Sequence, residues 1–153
     1  LQPHFRNFNK RVVKSPKIYF FDTGLLCYLL KIQTPEQLSD HPSRGSIFEN
    51  WVISETMKSY YNRGEEPPLY FWRDAKGHEV DLIIDKGTSL YPIEIKSAST
   101  FDPSFTSNLQ FFLNLQERGA AKSPAGDSVY TGDDSFDFKD FKVISWKMLK
   151  GLG

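Results

Sequence analysis

Apolar positions along this chain follow two different periods, and the switches between them outline its elements. Residues 78–85 (HEVDLIID) carry Val80, Leu82, Ile83 and Ile84. Residues 89–98 (SLYPIEIKSA) carry Leu90, Tyr91, Ile93 and Ile95. Both runs are rich in β-favouring residues and are bounded by Gly77 and Lys86-Gly87, so they predict two strands joined as a hairpin through Lys86-Gly87-Thr88. LYFWR at Leu69–Arg73 predicts a strand before them, with the turn at residues 74–77. Residues 46–61 (SIFENWVISETMKSYY) contain no Pro or Gly and place Ile47, Phe48, Trp51 and Val52 at helical spacing. A helix follows, capped by Ser43 or Ser46 and ended by Arg63-Gly64. Ile53, Met57, Tyr60 and Tyr61 carry its apolar character most of the way round, which predicts a central position.

The flanking segments are read by their caps and breakers. Residues 1–21 are expected to be extended, ending in a short strand or turn at 17–21. Asp22 then caps a Leu-rich helix over 23–31 with Cys27 as a reduced core residue. Thr34-Pro35-Glu36-Gln37 starts a short helix with Pro at its first position and Gln37 completing a capping box; His41-Pro42 and Gly45 stop it. Pro103 or Ser104 begins a helix running to about residue 118, with Leu109, Phe112, Leu113 and Gln116 spaced to pack on a sheet. Residues 127–131 and 142–145 read as strands and 147–152 as a closing helical turn. The order is helix, three strands, helix, one or two strands. It predicts an α/β fold, a mixed central sheet flanked by helices, with a small N-terminal helical extension.

Chemistry enters through the polar residues embedded in these apolar runs. Residues two apart in a strand share a face, so Glu94 and Lys96 point one way and Ile93 and Ile95 the other. In the hairpin, Asp81 lies beside Glu94. Two carboxylates and an ammonium then converge on an apolar sheet, which is costly unless a cation or substrate uses them. Metal-assisted phosphodiester hydrolysis requires this set: Asp81 and Glu94 to hold Mg²⁺, with a carbonyl such as that of Ile95 as a further oxygen, and Lys96 to orient or deprotonate water and neutralise developing charge. Glu94 and Lys96 can equally be an ordinary ion pair on a solvated strand. The long helix contributes two more acids. Glu55 shares the stripe of Phe48 and Val52, and Glu49 lies roughly a third of a turn away. Each must be paired or liganded, and Arg63, Arg73 or Lys58 would serve as a structural partner.

A helix Glu, a hairpin Asp and then Glu-x-Lys resembles the PD-(D/E)XK nuclease superfamily. Residues 45–98 are similar in layout to archaeal Holliday-junction resolvases and restriction-type nucleases. The resemblance assigns Glu49 (in Phe48-Glu49-Asn50), Asp81, Glu94 and Lys96 to the four active-site positions, the three acids as metal ligands; Val80 stands where the strict motif has Pro. A longer resemblance covers nearly the whole chain. KSPKIYFFDTGLLCYLL, GSIFENWVISE, HEVDLII and PIEIKSA occur in the order seen in a bacterial and archaeal domain of unknown function found C-terminal to an AAA+-type ATPase module. This implies that residues 1–44 are an extension or linker from an upstream ATPase and that 45–153 form the nuclease-like domain. The leading Leu1 fits a fragment of a longer polypeptide.

Composition narrows the alternatives. The 153 residues suit one domain, and 13 Phe with 7 Tyr supply ample core. No run of 18 apolar residues and no signal-peptide layout is present, so a cytoplasmic location and no membrane partner are expected. There is no phosphate-binding P-loop motif, so no ATPase activity is expected from this segment. His4, His41 and His78 are isolated and Cys27 is the only cysteine, against structural zinc; His78 is expected in an exposed turn. Net charge is zero. Arg6, Lys10, Arg11, Lys14 and Lys17 nevertheless precede any acid, interleaved with Phe5, Phe8, Tyr19 and Phe20. That segment can touch phosphates, or be a solvated linker or the scar of a lost upstream contact; the solvated reading is preferred. Asp127, Asp133, Asp134, Asp137 and Asp140 make the region before the last strand acidic. Two functions are weighed. One is Mg²⁺-dependent hydrolysis of DNA by Asp81, Glu94, Lys96 and Glu49, with Gln110 as an added contact or an exposed helix residue. The other is a non-catalytic module that binds nucleic acid or protein and regulates the ATPase.

Overall fold

Seven short strands form one mixed sheet in the computed structural model, which describes residues 1–4, 15–117 and 126–149. They are β1 (Gln2–Pro3), β2 (Leu69–Arg73), β3 (Glu79–Asp85), β4 (Leu90–Lys96), β5 (Asp127–Tyr130), β6 (Phe136–Phe138) and β7 (Phe141–Ser145), in the spatial order β1-β2-β3-β4-β5-β7-β6. The β2-β3-β4 meander is antiparallel, whereas β4, β5 and β7 run parallel. Among the described residues there are four α-helices: α1 (Thr23–Leu29), α2 (Pro35–Asp40), α3 (Arg44–Asn62) and α4 (Ser107–Glu117).

Side-chain alternation divides the core into two layers. Val52, Ile53 and Tyr60 of α3 pack on Leu82, Ile84, Ile93, Ile95 and Val129 on one face. Leu109, Phe112 and Leu113 of α4 cover Trp72, Val80, Ile83, Leu90 and Phe141 on the other. A sheet buried on both faces explains why β3 and β4 read as nearly continuous apolar runs. It also explains the helix apolar nearly all round: α3 lies between the sheet and α1.

Where the structure departs from the expected elements, the cause is local. β1 and β6 are two and three residues long, too short to leave a period-two pattern. Residues 17–21 adopt no strand. Asp102 and Pro103 wind the first turn before α4 as a 3-10 helix, with Asp102 Oδ1 accepting from the Ser104 amide. Thr34 caps α2 as expected, but Gln37 reaches back to the Gln33 amide instead of that of Thr34. The reading of Cys27 as a core residue is corrected. No residue of α1 is buried, and Leu25, Tyr28 and Leu29 are exposed; Cys27 is half-buried beside Phe48 and Trp51.

The parallel β4–β5 pair depends on a small residue. A Cβ at Gly126 would lie 2.3 Å from the Pro92 carbonyl oxygen and 2.9 Å from its Cγ. Because the nearer obstacle is backbone, Gly126→Ala must push β5 off β4. Chemical denaturation is expected to show a loss of about 1–3 kcal/mol; an unchanged midpoint would contradict this packing.

Candidate active site at the β3 bulge

One irregularity in β3 sets the position of Asp81. Tyr70 pairs with Ile83 but Trp72 pairs with Val80, so three residues of β3 span two of β2. The extra residue is a β-bulge at Asp81-Leu82. It reverses the alternation: Val80 packs towards α4, yet Leu82, two residues on, packs towards α3. Bulges re-aim side chains next to functional sites. Here the Asp81 carboxylate turns towards β4 and its Oδ2 accepts from the Ile95 amide at 2.8 Å. The ladder ends at Leu82↔Ile93, so Asp81 takes the place of a backbone partner beside Glu94.

Glu94 is the most deeply buried acid of the site, 2% exposed on the α4 side of the sheet. Its Oε1 accepts from Lys96 Nζ at 2.5 Å and from Asn108 Nδ2 of α4 at 3.3 Å. Its Oε2 is buried and has no hydrogen-bond partner among the described residues. An orphan carboxylate oxygen in the interior carries an uncompensated desolvation cost. Burial raises the Glu94 carboxyl above its ordinary range, against the lowering effect of Lys96 and Asn108. Asp81 is raised well above its ordinary value by burial first, then by the neighbouring charges of Glu94 and Glu49; Lys96 and the Ile95 amide oppose this. Burial lowers Lys96, but Glu94, Asp81 and Glu49 outweigh it and hold the ammonium above its usual range.

Glu49 approaches from α3 and is engaged by residues that sequence reasoning placed elsewhere. Tyr19 Oη donates to Glu49 Oε1 at 2.5 Å, and Lys17 Nζ does so at 3.0 Å. Lys17 also forms an ion pair with Glu79, which Arg73 approaches at 3.6 Å. The expected partners of Glu49, namely Arg63, Arg73 and Lys58, are therefore replaced by Lys17 and Tyr19. The solvated reading of the basic segment is corrected at Lys17, which is only 26% exposed at its side chain; Arg6, Lys10, Arg11 and Lys14 lie outside the described residues. Asn50, next to Glu49, is buried and clamps the same segment: its Oδ1 accepts from the Phe20 amide at 2.7 Å and its Nδ2 donates to the Phe20 carbonyl at 2.9 Å. Sequence reasoning missed Lys17, Tyr19, Glu79 and Asn108. The sequence carries no signal for Lys17 and Tyr19: alternation would turn the apolar Ile18 inward, yet it is 91% exposed.

The remaining candidates fall outside this cluster. Glu55 pairs with Lys58 at 2.7 Å, one of the structural partners expected for it. Gln110 is exposed and bonds Asn114. His78 stacks on Phe111 with ring centroids 3.9 Å apart and meets Asp74 Oδ2 at 3.0 Å, so it is part of a packed turn and not a free one. Among the described residues no group of three or more His, Cys, Asp and Glu side chains is close enough to hold a metal ion. Asp81 and Glu94 nevertheless suit a small hard cation. Mg²⁺ is commonly held by one or two carboxylates with water and phosphate oxygens completing the shell, and Glu94 Oε2 is an unpaired oxygen of the required type.

No helix of the described residues is long and apolar enough to cross a membrane. Comparison with known proteins extends the picture. Residues 1–36 match a second domain of unknown function, DUF8612. An uncharacterized protein of Mycobacterium tuberculosis and one of Mycobacterium bovis are each 35% identical over 144 residues, 94% of this chain. The chain spans 30% of the length of these relatives. Residues 44–149, from the start of α3 to the end of the described chain, match DUF4143, and the protein belongs to this family of domains of unknown function.

Proposed function

We propose that this domain hydrolyses phosphodiester bonds of DNA with Mg²⁺, as a member of the PD-(D/E)XK nuclease superfamily attached to an AAA+-type ATPase. The observation that carries the reading is the convergence at the bulge of Asp81, of Glu94 with its unpaired Oε2, and of Lys96. The element order α3-β2-β3-β4-α4-β5 supports it, since it is the helix, three-strand, helix, strand order implied by the resemblance. Asp81 and Glu94 would hold the cation, with water and phosphate oxygens completing its shell and Glu49, engaged by Lys17 and Tyr19, beside them. The cation supplies Lewis acidity towards a phosphoryl oxygen and makes water acidic enough to attack at neutral pH. Lys96 holds the attacking water by hydrogen bond and offsets charge developing on the phosphoryl oxygens. Asn108 donates to Glu94 Oε1 and so helps to fix the carboxylate while Oε2 stays unpaired.

Cleavage of linear and branched DNA with Mg²⁺ or Mn²⁺, compared with chelator, tests the reading. Cleavage that requires metal and drops by about 10²-fold or more in Glu94→Gln is expected. Equal cleavage by the variant would refute it. One observation favours a second reading, a non-catalytic module that binds nucleic acid or protein and regulates the ATPase: Glu49 is already occupied by Lys17 and Tyr19. Under that reading DNA binding needs no Mg²⁺ and is indifferent to Glu94→Gln.

A further inference from the structure

The segment before α1 contributes a cation to the acidic cluster, and its geometry bears on how the site is controlled. Lys17 and Tyr19 reach inward while Ile18 between them is 91% exposed, the alternation of an extended chain lying on a surface. The segment is fastened on both sides of these residues. The Lys17 amide donates to the Leu1 carbonyl at 3.0 Å, and Asn50 holds the Phe20 backbone by two hydrogen bonds. Lys17 Nζ bridges Glu49 and Glu79 and lies 5.3 Å from the centre of the Phe71 ring. A lysine on four flexible bonds can leave these carboxylates while its backbone stays fastened.

We propose that Lys17 is a tethered counter-cation of Glu49 whose ammonium opposes a divalent ion held by Asp81 and Glu94, so that the ion binds tightly only when Lys17 swings out. This rests on the metal site proposed above and adds its regulation. Charge balance supports it. Four acids, Asp81, Glu94, Glu49 and Glu79, face three cations, Lys17, Lys96 and Arg73. Lys96 is committed to Glu94 and Arg73 stands against Glu79, so Lys17 is the cation that covers Glu49. A divalent ion bound by Asp81 and Glu94 beside Glu49 repels the Lys17 ammonium and attracts the carboxylate it holds. The segment carrying Lys17 lies in the part of the chain matching the second family, residues 1–36, whereas Glu49 lies in the first, 44–149.

Calorimetric titration with Mn²⁺ of the wild-type chain, Lys17→Met and Lys17→Arg tests this. Lys17→Met is expected to bind Mn²⁺ about tenfold more tightly, the order expected for removing one competing charge a few ångströms away in a partly solvated site. Lys17→Arg is expected to bind at least as weakly as wild type. Equal or weaker binding by Lys17→Met, with measurable binding by wild type, overturns the inference and leaves the metal reading intact. No binding by any of the three overturns both. A second measurement needs no variant: amine-reactive footprinting of the wild-type chain is expected to show Lys17 labelled several-fold faster on adding Mg²⁺. Unchanged labelling at Mg²⁺ concentrations that saturate the calorimetric signal overturns the inference even if Lys17→Met fails to fold.

Discussion

Asp81→Asn is expected to abolish the calorimetric heat of Mn²⁺ binding and, at the same time, to melt at a higher temperature than wild type at neutral pH. Both effects have one cause. Asp81 is held beside Glu94 and Glu49, and burial together with these like charges raises its carboxyl well above the ordinary range. Its ionised form is therefore destabilised in the folded chain. The sign follows from linkage: a raised folded pKa gives stability fully present below the unfolded value and lost as pH rises through the folded one. The wild-type chain should thus lose stability from about the unfolded carboxyl value of 3.8 upward. Asparagine keeps an oxygen to accept from the Ile95 amide and removes the charge. A gain of roughly 0.5–2 kcal/mol is expected at pH 7, or about 2–4 °C per kcal/mol in a chain of this size. The difference should vanish near pH 3.5. A variant that binds Mn²⁺ normally would remove Asp81 from the site, and one that melts lower at pH 7 would show that the like-charge cost is absent.

Lys96→Met is expected to destabilise the fold by about 2–4 kcal/mol and, under the proposed hydrolytic function, to eliminate cleavage. Glu94 is 2% exposed, and among the described residues Lys96 is its only charged hydrogen-bond partner, at 2.5 Å. Removing the ammonium leaves a buried carboxylate with only the Asn108 amide against it. The loss falls short of the usual penalty for breaking a fully buried pair because Lys96 is 37% exposed and water reaches one side of it. Glu94→Gln combined with Lys96→Met should recover most of the stability and none of the activity. Denaturant midpoints of the two single variants and the double variant form the check. Additive losses would mean that the two residues do not interact energetically.

Most of the sheet was legible along the chain. The β2-β3-β4 meander has strong β-favouring runs and turn residues at the right places, and Glu94 and Lys96 share a face because β4 is regular. Helix α3 was recognisable from its unbroken apolar pattern. The strands β1 and β6 were not, because their short backbone pairings depend on a neighbouring strand and not on their own residues. The role of Asn108 is not legible for a similar reason. Nothing in α4 marks which of its polar residues meets β4, and Gln110, two positions on, faces solvent.

By itself the sequence determined the β2-β3-β4 meander and the long helix α3, that Glu94 and Lys96 sit together, and that the chain has an α/β order with acids inside apolar elements. These are local properties, set by backbone propensity and by side-chain period within a single element. Only the tertiary structure decided the rest. A strict period of two would put Asp81 on the face opposite Val80 and Leu82 together. The bulge forced by pairing β3 against β2 instead turns the strand at that point and carries Asp81 to β4. The partners of Glu49 come from Lys17 and Tyr19, 32 and 30 residues away in sequence. That contact exists because the leading segment folds back across α3, where a buried Asn50 satisfies its backbone. Long-range electrostatics of this kind depends on which distant groups share a low-dielectric space, and no pattern within one element encodes it.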